Sequence, residues 1–142
     1  MGLNRKCYTI GYGGRHPDDF VALLQQHGVV TVIDVRLRPD RASMGVYAQA
    51  KSLEKGIQGL LTKGNIQYIS FLELGNVFRD AEDWHQRYQR LMEQAGDFLV
   101  ERLVVVPGPF CLMCAEQKVK DCHRLMIAQY LEGKGWEVEH IE

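Results

Sequence analysis

Three of the four cysteines in this chain, Cys111, Cys114 and Cys122, fall within twelve residues; Cys7 stands alone near the start. Clustering of that kind in a chain of 142 residues points to a chemical site rather than a disulfide scaffold. Cys114 closes an apolar run, and Cys122 follows Asp121, an expected helix N-cap. The helix amides would then favour the Cys122 thiolate, with His123 and Arg124 beside it. Seven residues, 115–121, are enough to bring Cys122 back towards Cys114. The pair is expected to supply a nucleophile with a resolving thiol, or one thiolate with a base, and Glu116 and His123 are the nearby proton carriers. Cys111, three residues from Cys114 on a strand, should face the opposite way, and Cys7 lies in another apolar run. Both are assigned to the core. Cys111, Cys114, Cys122 and His123 are zinc-type ligands, but their expected directions diverge, so no metal centre is expected. A partial set of Cys114, Cys122 and one further group stays open.

A second constellation is cationic. Arg15 follows Gly11-Tyr12-Gly13-Gly14, Arg36 ends a β-branched run, and Arg124 opens the last helix, while Glu73 follows a third strand. Glycine turns and helix starts flanked by guanidinium groups suit an oxyanion, so Arg15, Arg36 and Arg124 are candidate ligands for negative groups. Glu73 is a candidate for a hydroxyl or amine. Asp34 and Arg36 point to one face of a strand, and a carboxylate in so apolar a run needs a partner. Asp34 therefore either orients Arg36 towards a ligand or clamps neighbouring loops.

These residues need elements to hold them. Strands are expected at residues 7–10, 29–35, 66–71, 110–114 and 136–141 from β-branched or alternating runs. Helices are expected from Pro17 to His27, stopped by Gly28, over 50–63 and 81–95, and from the Asp121 cap to about Glu132. Residues 103–106 fit either a strand or the end of a helix. Strands alternating with helices imply one α/β domain over 1–142, a three-layer Rossmann-like sandwich with a mainly parallel sheet of about five strands. Ligands in such sheets collect beyond the carboxyl ends of the strands, where the residues above fall.

Composition narrows the class. Apolar residues are 46% and charged residues 25%, which fits a globular domain and excludes a disordered or fibrous chain. The net charge of −1 excludes a bulk polycation. It hides an asymmetry: nine basic and five acidic groups in residues 1–71, eight and thirteen in 72–142. No leader-like or membrane-spanning apolar run is seen, and Lys6 stands where an N-myristoylation signal at Gly2 needs Ser or Thr. A cytoplasmic protein with reduced thiols is the expectation.

Tyr8-Thr9-Ile10-Gly11, Phe20 with Leu23-Leu24, Asp34-Val35-Arg36 with Pro39, Tyr68 and Leu74-Gly75 form a pattern. Its most specific parts are Leu112-Met113-Cys114-Ala115-Glu116 and Asp121-Cys122-His123-Arg124. Over nearly the whole chain this resembles the family catalogued as domain of unknown function 488. Met113 stands where Leu is more usual, and Cys7 and Cys111 lie outside the pattern. The resemblance implies an α/β fold, a soluble protein, a site around the two cysteine segments and a helix rather than a strand for 97–106. It brings no established reaction and names no cofactor.

The leading expectation is a thiol-dependent cytosolic enzyme acting on an anionic substrate, phosphate-bearing or related to nucleotides or nucleic acid. The alternatives are a non-catalytic nucleotide or nucleic-acid binding module, using Arg36, Arg38, Arg41, Lys51, Lys55 and Lys63 with Tyr47 to stack, and a redox or metal sensor built on Cys114 and Cys122.

Overall fold

A computed structural model describes residues 5–142 of the chain; the Met1-Gly2 segment and its expected lack of a lipid signal lie outside them. Five strands, β1 (Arg5–Gly11), β2 (Thr31–Asp34), β3 (Gln67–Ser70), β4 (Phe110–Cys114) and β5 (Trp136–Ile141), form one sheet in the order β3-β2-β4-β1-β5. Every pairing is parallel. The crossovers carry α1 (Pro17–Gln26), α2 (Gly56–Lys63), α3 (Trp84–Leu99) and α4 (Arg124–Gly133). This is the three-layer, Rossmann-like α/β architecture expected from the alternating pattern.

Two apolar layers follow from strand alternation. On β4, Phe110, Leu112 and Cys114 join the layer that holds Tyr88 and Met92 of α3 and Ile127 and Leu131 of α4. Cys111 and Met113 join the opposite layer, with Phe20 and Leu24 of α1 and Ile57 and Leu61 of α2. Cys111 and Cys114 thus face opposite sides, and Cys7 and Cys111 are wholly buried.

The starts of α2 and α4 differ from the sequence reading, and one open segment is decided. The second helix begins at Gly56, not near residue 50; Gly56 has φ of +61°, and a Cβ there would lie 2.2 Å from the Ala48 carbonyl oxygen. Only glycine lets the chain turn this tightly into the helix. Residues 101–105 form a 3₁₀ turn after α3, so the helical alternative for the 97–106 segment holds. Asp121 does not cap α4. It ends a 3₁₀ turn (Val119–Asp121), Cys122 is extended with φ −131° and ψ 144°, and His123 occupies the cap position without a capping side chain. The His123 imidazole is drawn to the Val35 carbonyl, and the freed Arg124 amide points at the Cys122 sulfur instead. Among the described residues no helix is long and apolar enough to cross a membrane.

Candidate functional site

From β1 the chain winds towards β3, and from β4 it winds the other way, so the adjacent carboxyl ends of β1 and β4 flank a topological switch point. Gly11 pairs with Cys114 there. Beyond them, Tyr12 N donates to Cys114 O at 3.1 Å and Gly13 N to Ala115 O at 2.8 Å. A Cβ on Gly11 would lie 1.7 Å from the Glu116 carbonyl oxygen, so the two loops touch only because residue 11 is glycine. An open cavity of about 670 Å³ lies at this end of the sheet. Cys114, Glu116, His123 and Arg36 line it, together with Tyr12, Arg38, Arg41, Asn76, Arg79, Trp84 and Asp121.

Cys114 stands on the inner wall, with Cys122 next to it. The Cys122 and Cys114 sulfurs are 2.7 Å apart, and Cys114 Sγ lies 3.1 Å from Glu116 Oε1. Cys122 also accepts the Arg124 N–H at 3.4 Å. His123 Nε2 is 2.8 Å from the Val35 carbonyl, which can only accept, so the Nε2 position carries the hydrogen. Nδ1 is left as an acceptor facing Cys122 Sγ at 3.8 Å. The hydrogen bond to Cys122 and burial both push the Cys114 thiol up. Burial also opposes charge on Cys122, but the Cys114 hydrogen bond, the Arg124 guanidinium and the Arg124 amide together bring it below the ordinary thiol range. The two shifts thus run in opposite directions, Cys114 up and Cys122 down.

Beside the thiols, Asp34 is wholly buried and receives Arg36 Nε at 2.9 Å, Arg36 Nη2 at 2.7 Å, the Arg36 amide at 3.0 Å and the Tyr68 hydroxyl at 2.5 Å. Arg36 also donates to the Tyr12 hydroxyl at 3.2 Å. A carboxylate so satisfied fixes Arg36 as a rigid part of the cavity wall.

Three of the candidate ligand residues do not reach the cavity. Arg124 is wholly buried and donates to Thr9 Oγ1 and to the carbonyls of Glu116 and Gln117, at 3.1, 2.6 and 3.1 Å. Arg15 donates to the carbonyls of Gly11, Ile141 and Glu142. Glu73 is held by Arg102 at 2.7 and 2.9 Å, with that guanidinium stacked on Phe71. Backbone carbonyls at the ends of β1 and β5 and in the loop after β4 claim the first two side chains, and an ion pair claims the third. Arg38 and Arg41, exposed on the loop after β2, stand on the cavity wall in their place. Both were legible as part of a basic group. Trp84 falls inside the expected 81–95 helix and Tyr12 inside a glycine turn, so neither carried a signal for the cavity.

A family model described as Domain of unknown function DUF488 matches residues 16–131. The chain belongs to this family. The matched span holds both cysteine segments and Asp34–Arg36, whereas the Tyr8-Thr9-Ile10-Gly11 strand lies before it. No curated protein and no solved structure matches the chain. In this DUF488 protein, Cys114, Cys122 and His123 bring donor atoms within 4.8 Å of one another, the partial set left open by the sequence. Two thiolates sharing one zinc at roughly 2.3 Å stand about 3.8 Å apart. The two sulfurs stand closer than that here, at 2.7 Å.

Proposed function

We propose that this DUF488 protein is a thiol-dependent enzyme acting on an anionic substrate bound at the carboxyl ends of β1, β2 and β4. The observation that carries the reading is the Cys114 sulfur on the cavity wall, backed by Cys122 at 2.7 Å, with His123 Nδ1 and Glu116 in reach of the pair. Cys114 is the nucleophile and Cys122 takes its proton. His123 is the next acceptor, and Glu116 steadies the proton on the cavity side. The cavity is polarised: Arg38 and Arg41 stand on the β2 side, Glu116 and Asp121 on the β4 side. The anionic group belongs against the arginines, with a hydrogen-bond donor of the substrate towards the carboxylates.

Alkylation tests this directly. Iodoacetate, an anion, should modify Cys114 several-fold faster than neutral iodoacetamide does, relative to a free thiol. Salt and the double variant Arg38→Gln/Arg41→Gln should erase that preference. A Cys114 that shows no preference for the anion, or whose preference survives both salt and the double variant, defeats the reading.

Trp84 beside the arginines favours one further reading, a non-catalytic nucleotide or nucleic-acid binding module. Salt-sensitive binding of an oligonucleotide that survives Cys114→Ser/Cys122→Ser would support it over thiol chemistry.

A further inference from the structure

We propose that Cys114 and Cys122 form a dithiol–disulfide couple whose substrate is an anionic disulfide, with Cys114 the attacking sulfur and Cys122 the resolving one. The inference rests on the thiol-enzyme reading and names the substrate class and second step that reading leaves open. Three observations lead to it.

The first is that the two sulfurs are adjacent, 2.7 Å apart, with both thiols free. The second is their placement. Cys114 lines the cavity, whereas Cys122, 1% exposed, is not part of its lining. A sulfur joined to Cys114 from the cavity would therefore leave into the cavity as Cys122 attacks from the opposite side, the in-line path that thiol–disulfide exchange requires. The third is the proton path. The depressed Cys122 thiol and the raised Cys114 thiol agree with a proton held between them, and His123 Nδ1 faces Cys122 as an acceptor.

The steps balance. Cys114 attacks one sulfur of the substrate R–S–S–R′ while its proton passes to the Cys122 thiolate; the substrate S–S bond breaks, R′S⁻ leaves, and Cys114–S–S–R forms. Cys122 then gives that proton to His123 Nδ1 and attacks Cys114 Sγ. The mixed disulfide breaks, RS⁻ leaves into the cavity, and the Cys114–Cys122 bond forms. The substrate has gained two electrons, the protein has lost two, and an external dithiol returns the couple to its reduced state. The Arg38 and Arg41 wall selects disulfides that carry carboxylate or similar groups.

The test uses an anionic aryl disulfide, 5,5′-dithiobis(2-nitrobenzoate), at one equivalent per reduced chain. About two thionitrobenzoate anions should appear per reagent consumed, the second at a rate independent of reagent concentration. Mass spectrometry should find Cys114 linked to Cys122, with no adduct. In Cys122→Ser and Cys122→Ala only one anion should be released, the other half staying on Cys114. A wild-type chain that stops at a Cys114 adduct overturns the resolving role. If that adduct forms quickly and salt-sensitively, the thiol-enzyme reading survives; if Cys114 takes up no reagent in any variant, both fall. Linkage through Cys7 or Cys111, or thiols silent until a chelator removes stoichiometric zinc, also overturns the couple.

Discussion

At Asp34 a buried carboxylate meets four donors, three of them from Arg36 and one from Tyr68. Removing one partner strands the other, because the desolvation cost of the remaining charge is no longer offset. Asp34→Ala should therefore lose about 3–5 kcal/mol, seen as a lowered urea midpoint. Tyr68→Phe, which removes one donor to a carboxylate, should lose only about 1.5–3 kcal/mol. A near-neutral Asp34→Ala would contradict the clamp. Residue types revealed this pair early, since a carboxylate in a β-branched run demands a cation two positions on. They did not reveal how Arg15, Arg124 and Glu73 are used. A guanidinium looks the same in sequence whether it meets a ligand or a loop carbonyl, and only the three-dimensional course of the loops decides.

At the element scale, the contact between the β1 and β4 loops is the sharpest dependence. Gly11→Ala sets a methyl 1.7 Å from the Glu116 carbonyl oxygen and 2.8 Å from Gln117 Cα, and backbone cannot step aside as a flexible side chain does. We expect a loss of at least about 1–3 kcal/mol and slowed alkylation of Cys114, since the displaced loop carries Glu116. Gly28→Ala is the control. It has φ of +70° with open space around it, so it should cost only about 1 kcal/mol and leave Cys114 reactivity unchanged. The five strands and four helices were legible because their apolar periodicity is strong and glycine or proline punctuates it. The Val119–Cys122 approach to α4 was not. There the backbone is shaped by side chains reaching far along the chain, His123 to Val35 and Arg124 to Thr9, which a local capping rule does not see.

Across the whole molecule, a hydrogen-bond relay joins α4 to the outer strand. Arg124 donates to Thr9 Oγ1, and the Thr9 hydroxyl lies 2.7 Å from His140 Nδ1. Burial, then the Arg124 charge, lower the His140 titration below its ordinary 6.5 against the smaller pull of Glu132 and Glu142. The unfolded chain then binds more protons than the folded one just below pH 6.5. Stability should fall as pH drops from about 7 towards the depressed folded value, and His140→Gln should flatten that slope in urea titrations between about pH 5 and 7.5. A slope unchanged in the variant would place the acid sensitivity elsewhere. The same arginine bears on how such a protein diversifies. Because Arg15 and Arg124 are committed to holding carbonyls, the free positive charge facing the cavity rests largely on the segment after β2. The reacting sulfurs rest on β4 and the approach to α4. On the proposed thiol-enzyme reading, reactivity and substrate choice are carried by separate stretches of chain, and exchanging residues 38–43 should redirect which molecules enter without disarming the thiols.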